Sequence, residues 1–285
     1  MAIDQISLST TPIYLYKGAV VVSQGTGFLY AHSRADGSVI LYLLTNHHVL
    51  TGYSPLESKP AVGESISFFI HRSRTESTDI KQVALPLYTK NSKPIWLSSV
   101  TSPEADLAII PIHQGYYSDC EVICINDSYT TAGMKIRPAT SITLVGYPYG
   151  FFDMSNFLPI WKTGNVASEP DIDFDGKPVF MVDVAAFPGM SGSPVFGISY
   201  GMYEMEAGGT IVGGARKFLG VYASMQMRTE QKFLEEIIHA HSFGITHEES
   251  LQIGHIWKTK LILEVMHSFD PDKYQKEIIN NLQEK

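Results

Sequence analysis

Cysteine is scarce. Two residues, Cys120 and Cys124, occur in a chain of 285, too few for a disulfide framework. Four positions apart in a β-branched stretch, they are expected on one face of a strand roughly 13 Å apart, beyond disulfide reach. That spacing favours reduced core thiols in a reducing, cytoplasmic compartment over a metal or redox pair. Long apolar runs are missing as well. The richest, Val20–Phe28 and Val39–Leu44, are strand-sized and broken by polar residues, whereas a membrane span needs about 18–20 apolar residues in a row. Positive charge is also short: 21 Lys and Arg stand against 29 Asp and Glu, a net charge of −8. No overall field draws the protein to nucleic acid or anionic lipid. The opening residues Met1–Thr10 contain Asp4 where a secretion signal would have basic residues, so no leader is expected. His71, His113, His239, His241, His247, His255 and His267 are scattered without metal-ligand spacing, and neither metal nor cofactor is expected.

What the chain does have is short runs rich in Val, Ile, Tyr, Phe and Thr, punctuated by Gly, Pro, Asn and Asp, from Ile13 to about Ser224. Gly18–Ser23, Thr26–His32, Val39–Thr45, Ser65–Ile70, Leu107–Ile112, Ser141–Gly146, Pro178–Val184 and Gly220–Ser224 read as strands. Ala35–Ser38 carries an Asp-Gly pair suited to a type I′ hairpin turn. Many short strands with frequent turns predict an all-β sandwich or barrel architecture. After Met227 the period changes to 3.6, predicting a helix over about 228–244, then a strand at Ile253–Trp257 and a helix over about 258–267. Asp270-Pro271-Asp272 opens a third helix in a tail over 269–285, whose last 15 or so residues read as an appendage. Residues 1–268 are treated as one functional unit.

Chemistry concentrates in three places. Phe187-Pro-Gly-Met-Ser-Gly-Ser-Pro194 sets a serine between glycines, whose freedom to take positive φ lets successive amides converge as an oxyanion hole requires. Alone, such a segment is more often an ordinary turn. A nucleophilic serine needs a base, and the base an acid that fixes its tautomer. Upstream, Thr45-Asn46-His47-His48-Val49 closes an apolar strand, and Asp106-Leu107-Ala108 puts a carboxylate at the mouth of another. The chain order is His48, Asp106, Ser191.

These segments together resemble the trypsin-like, chymotrypsin-fold serine peptidases, above all the bacterial Deg/HtrA-like branch. Thr45–Val49 is similar to the Thr-Asn-x-His-Val motif, Asp106–Ala108 to Asp-Leu-Ala, and Pro188–Gly192 to Pro-Gly-x-Ser-Gly. Gly25–Phe28 resembles the Gly-Ser-Gly-Phe that starts the strand before the histidine loop, and Ile253–Trp257 with its following helix resembles the last strand and terminal helix. The resemblance covers roughly residues 12–268. It implies two six-stranded Greek-key β-barrels with C-terminal helices and a peptide or protein substrate. It also implies His48 as general base then acid, Asp106 as its orienter, Ser191 as nucleophile, and the amides of Gly189 and Ser191 as oxyanion donors. His47 and Asp183 are decoys: the first precedes the valine by two positions, and the second is structural in this branch. No peptide-binding module after the catalytic domain is expected.

The departures are informative. Ile211-Val-Gly-Gly214 copies the new N-terminus of activated zymogens but follows the serine, and Met190 stands where zymogen activation needs an aspartate. Activation by N-terminal cleavage is therefore not expected; the enzyme is either born competent or switched by loop ordering or an activating partner protein. Ser193 replaces the usual second glycine and should leave the turn intact. For specificity, the resemblance puts Ala185 at the base of the first pocket, Gly254 on its wall, and Tyr222, Ala223 and Ser224 on the substrate-pairing strand. With no acidic residue at 185 and Tyr222 where glutamate-selective relatives carry histidine, an apolar P1 of small or medium size is expected. Two rivals stand beside a serine endopeptidase: a catalytically silent protease fold that binds peptides or a partner, and an esterase. The esterase lacks the Gly-x-Ser-x-Gly elbow of α/β-hydrolases.

Overall fold

The computed structural model describes residues 3–57, 59–235 and 242–282, and over 225–251 it describes backbone only. The first half contains β1 (Thr10–Lys17), β2 (Val20–Ser33), β3 (Val39–Thr45), β4 (Ser65–His71), β5 (Ile80–Pro86), β6 (Ala108–Pro111) and β7 (Ile125–Asn126). The second half contains β8 (Ser141–Gly146), β9 (Ile160–Val166), β10 (Val179–Asp183), β11 (Pro194–Ser199), β12 (Met202–Glu204), β13 (Thr210–Val212), β14 (Ala215–Glu235) and β15 (Ser242–Lys258). Helices are short: α1 (Gln5–Ser9), α2 (His47–Thr51), α3 (Asp127–Thr130), α4 (Thr259–His267) and α5 (Pro271–Glu277). β3, β4, β6, β8 and β10 run where alternation and β-branching place them, Gly18–Ser23 and Thr26–His32 merge into the single β2, and β1, β5, β7, β9, β11, β12 and β13 fall on stretches the sequence had not marked as strands; the all-β, chymotrypsin-like architecture with C-terminal helices is present.

The two halves close differently. In the second, β10-β15-β14-β11-β8-β9 form a closed six-stranded barrel. In the first, the order β5-β4-β1-β2-β3-β6 curls without a ladder joining its ends, and β7 adds to β2. Pro86 and Pro111 end the two outer strands and offer no N–H, so only the isolated bridge Leu97↔Ile109 works towards closure. Each half has its own core, one around Leu43, Phe68 and Ile110 and one around Leu144, Val195 and Ile256. A third cluster joins the halves through Ile6, Phe28, Tyr30, Phe196, Phe218 and Trp257. Phe218 touches the rings of Phe28, Tyr30 and Phe196 at 5.5–5.9 Å. The active-site cleft of such a fold lies along this seam.

Several local expectations need correction. Backbone predicted as helix at about 228–244 instead runs as strand to Glu235 and again from Ser242, pairing Met227↔Ser250 through Glu235↔Ser242; residues 236–241 lie outside the described ones. The long antiparallel ladder of β14 and β15 continues from the barrel, and this non-local pairing overrides the local 3.6-residue pattern. Cys120 and Cys124 lie in irregular chain before β7, not on a strand; both are free and half-buried, and burial pushes their thiols up. In the β2–β3 turn Gly37 alone has positive φ (+82°), so the turn is not type I′, which needs two such residues.

The tail is no appendage either. Tyr274 and Ile278, four apart, share one face of α5 and its end. Tyr274 donates from its hydroxyl to the Ile95 carbonyl at 2.6 Å, and Ile278 is buried against the first half. The Ile211–Gly214 segment lies on and just after β13, with Val212 exposed. The aromatic loop after β8 packs its own rings, Tyr147 on Phe152 at 5.2 Å and Phe152 on Phe157 at 5.5 Å. Among the described residues no helix is long and apolar enough to cross a membrane.

Candidate active site

β3 delivers Thr45 and Asn46, both fully buried, to the start of α2. His48 follows in the first turn. Its backbone N–H donates to Asp106 Oδ1 at 2.9 Å, and its Nδ1 lies 2.5 Å from Asp106 Oδ2. An ionised carboxylate accepts at both oxygens, so Nδ1 carries a proton, and in the neutral ring Nε2 is then the acceptor. Asn46 Nδ2 donates to the Asp106 carbonyl at 2.6 Å and fixes that backbone. His47 turns away: its Nδ1 meets the Tyr53 carbonyl at 3.2 Å, its ring packs on Trp96, and burial lowers its pKa. Of the two adjacent histidines, His48 is the one the carboxylate holds.

The Ser191 segment is built from two consecutive turns. Met190 N–H donates to the Phe187 carbonyl with Pro188 and Gly189 between them, and Ser193 N–H to the Met190 carbonyl with Ser191 and Gly192 between them, both at 3.0 Å. Gly189 (φ +93°) and Gly192 (φ +88°) take the third position of each, as type II turns require. Glycine is also needed sterically at 192, since a Cβ there would sit 2.0 Å from the Thr26 carbonyl. The Pro188 carbonyl accepts from Tyr149 N–H at 2.6 Å, which turns the Gly189 N–H the opposite way. Neither the Gly189 nor the Ser191 amide donates to an acceptor among the described residues. The Ser191 hydroxyl is half-buried and makes no hydrogen bond among the described residues.

The predicted specificity residues are dispersed. Ala185 is exposed after β10, and Asp183 is exposed at its end. Tyr222 is 2% exposed and tied to the serine loop by Gly192 N–H to its carbonyl and by its own N–H to the Ser193 carbonyl, both 2.9 Å. Its ring covers Gly254, where a Cβ would lie 2.5 Å from the Tyr222 ring. Ala223 is buried, while Ser224 is exposed and faces a cleft of about 820 Å³ that His48 and Asp106 also line.

Other residues of that cleft escaped sequence reading. His255 and Trp257 stand on its wall, ring to ring at 5.8 Å. Desolvation lowers the pKa of His255, with Asp106 opposing the shift. No motif announced His255; only its alternation on the last strand, facing away from buried Gly254 and Ile256, marks it. Thr26 was visible only as part of a glycine motif, yet its N–H, carbonyl and hydroxyl all engage at the site.

Among solved structures, the serine endoprotease from Yersinia pestis is 15% identical with a TM-score of 0.45, the similarity covering 96% of this chain and 66% of that one. The Rv3671c protease in an inactive form is 15% identical with a TM-score of 0.43, over 92% of this chain and 88% of that one, and a Ser343Ala mutant of Rv3671c from M. tuberculosis H37Rv is 14% identical with a TM-score of 0.43, over 92% and 85%. A scabies mite inactivated protease paralogue is 14% identical with a TM-score of 0.44, over 97% and 99%. A search of curated proteins finds no match. Residues 25–201 match the trypsin-like peptidase domain, a stretch that takes in His48, Asp106 and Ser191, and the chain belongs to that family.

Proposed function

We propose that this chain is a serine endopeptidase that cleaves peptide bonds through an acyl-enzyme, with Ser191 as nucleophile, His48 as base and Asp106 as orienter. The observation that carries this reading is the double acceptance by Asp106 of the His48 N–H at 2.9 Å and of Nδ1 at 2.5 Å, which in the neutral ring makes Nε2 the acceptor. Ser191 Oγ attacks the scissile carbonyl as Nε2 takes its proton. The amides of Gly189 and Ser191 hold the oxyanion, at about 2.7–4 kcal/mol per donor. The imidazolium then protonates the leaving amine, and water repeats the sequence on the ester.

P1 is an apolar side chain of small or medium size; the Tyr222 ring lying over Gly254, where a Cβ would come within 2.5 Å of it, supports a narrow pocket. Ala185 supplies no counter-charge for Lys or Arg. A narrow substrate range or an activating partner fits an enzyme whose Met190 offers no carboxylate to a freed N-terminal ammonium. The reading as a silent peptide-binding module has one observation in its favour, the unbonded Ser191 hydroxyl; catalytic hydrogen bonds are often long until substrate arrives. A fluorophosphonate probe separates the two: the enzyme labels in the wild type and not in Ser191→Ala, and a wild-type chain that stays unlabelled overturns the peptidase reading.

A further inference from the structure

The base hangs from the first half of the molecule and the nucleophile from the second, so something must fix the oxyanion loop relative to β2 and β3. The β2–β3 ladder ends at Phe28↔Leu44. Two residues earlier on β2, the backbone groups of Thr26 lie beyond the reach of that ladder, although Thr26 itself is fully buried. A buried backbone pair must find partners elsewhere. Thr26 N–H donates to the Ser191 carbonyl at 2.9 Å, and the Thr26 carbonyl accepts from Thr45 Oγ1 at 2.7 Å. The side chain adds two more bonds: Thr26 Oγ1 donates to the Gly189 carbonyl at 2.7 Å and accepts from Tyr147 N–H at 3.1 Å.

The Gly189 and Ser191 carbonyls are therefore both gripped by one residue of the other half. Each carbonyl belongs to the peptide that follows its residue, so gripping it fixes how the chain leaves Gly189 and Ser191. With the Pro188 carbonyl held by Tyr149 N–H, the peptides on both sides of Gly189 are set. The amide of Gly189 then has one direction left. Thr45 lies three positions before His48, so the same chain of bonds links base and hole.

We propose that the Thr26 hydroxyl is a positioning residue for the oxyanion hole, aligning the Gly189 and Ser191 amides with the His48 side of the cleft. The proposal rests on the peptidase reading above. Removing the hydroxyl while keeping the branched shape, in Thr26→Val, leaves the Gly189 carbonyl ungripped and the hole free to drift. Drift weakens binding of the transition state and not of the peptide.

The test compares the rate of Ser191 labelling by a fluorophosphonate, whose phosphoryl oxygen occupies the hole, with kcat and KM on a peptide cleaved by the wild type. Thr26→Val should lower both labelling rate and kcat by about 10–100-fold with KM within about threefold, and Thr26→Ser, which keeps the hydroxyl, should stay within about threefold of wild type. Labelling by Thr26→Val within about threefold of wild type overturns the proposal, as does equal impairment of Thr26→Ser, which would assign the effect to the methyl group. Should Thr26→Val not fold, Thr45→Val carries the test through the Thr26 carbonyl: about 3–10-fold slower labelling supports the linkage, and an unchanged rate overturns it. A wild-type chain inert to the probe removes the peptidase reading itself, which is distinct from an active wild type matched by Thr26→Val.

Discussion

Replacing Asp106 by asparagine keeps the size of the side chain and removes one acceptor. Two donors face it, the His48 backbone N–H at 2.9 Å and Nδ1 at 2.5 Å. A carboxylate satisfies both, but an amide has one oxygen and one NH2 group. The residue cannot back away, because Asn46 Nδ2 holds the Asp106 carbonyl at 2.6 Å. If the amide oxygen faces Nδ1, the NH2 opposes the His48 N–H, and a poorly solvated donor is left unpaired at about 1–3 kcal/mol. If the NH2 faces Nδ1, the ring adopts the other tautomer, and Nε2 already carries the proton it should accept from Ser191. The second arrangement loses no hydrogen bond and is the favoured one.

The same exchange in other enzymes of this mechanism lowers kcat by about 10⁴, or about 5.4 kcal/mol of barrier at 1.36 kcal/mol per decade. Asp106→Asn should therefore label with a fluorophosphonate at least about 10³-fold more slowly than wild type at neutral pH, with a thermal midpoint changed by only a few degrees. Labelling within about tenfold of wild type would refute the role given to the carboxylate.

Two further outcomes follow from the same coordinates. Burial lowers the pKa values of His47, His71 and His255, so the unfolded chain takes up protons below about pH 6.5 that the folded chain refuses. Stability should be fully present above that pH and fall as pH drops through it towards the depressed native values. Urea midpoints measured from pH 7.5 to 5 should decline, and a flat profile is inconsistent with the burial of these rings. Tyr222→Ala opens the space over Gly254 and should shift P1 preference towards larger apolar residues by about tenfold in relative kcat/KM; cleavage-site profiling that shows the wild-type preference would reject the pocket assignment.

Much of this was legible before any coordinates. The strand runs at Val39–Thr45, Ser141–Gly146 and Pro178–Val184 reappear within a residue of β3, β8 and β10 because period-2 alternation and β-branching are local signals. Motif position also separated His48, the histidine that the Asp106 carboxylate holds, from His47. What failed was whatever depended on distant chain. Residues 229–235 have helical periodicity, yet they pair along β14–β15, an outcome no local window contains. The tail read as loose because its two anchoring residues, Tyr274 and Ile278, find their partners near Ile95, far away in sequence. Thr26 was unreadable as a site residue because its partners, Thr45, Tyr147, Gly189 and Ser191, come from four separate segments.

Met190 explains how such a site stands without a cleavage event. In relatives activated by cleavage, an aspartate at this position pairs with a freed ammonium and orders the oxyanion loop. Here the side chain is apolar, fully buried, and packed with Val182, Val184 and Tyr222 in the core of the second barrel. Burying a methionine is worth about 1.5–3 kcal/mol and carries none of the desolvation cost of a buried ion pair. Around it, the turn bonds at Met190 and Ser193, the Tyr222 bonds to Gly192 and Ser193, and the Thr26 grip together hold the loop. Every one of these partners is already in place within a single chain, so order in the hole is a property of the fold.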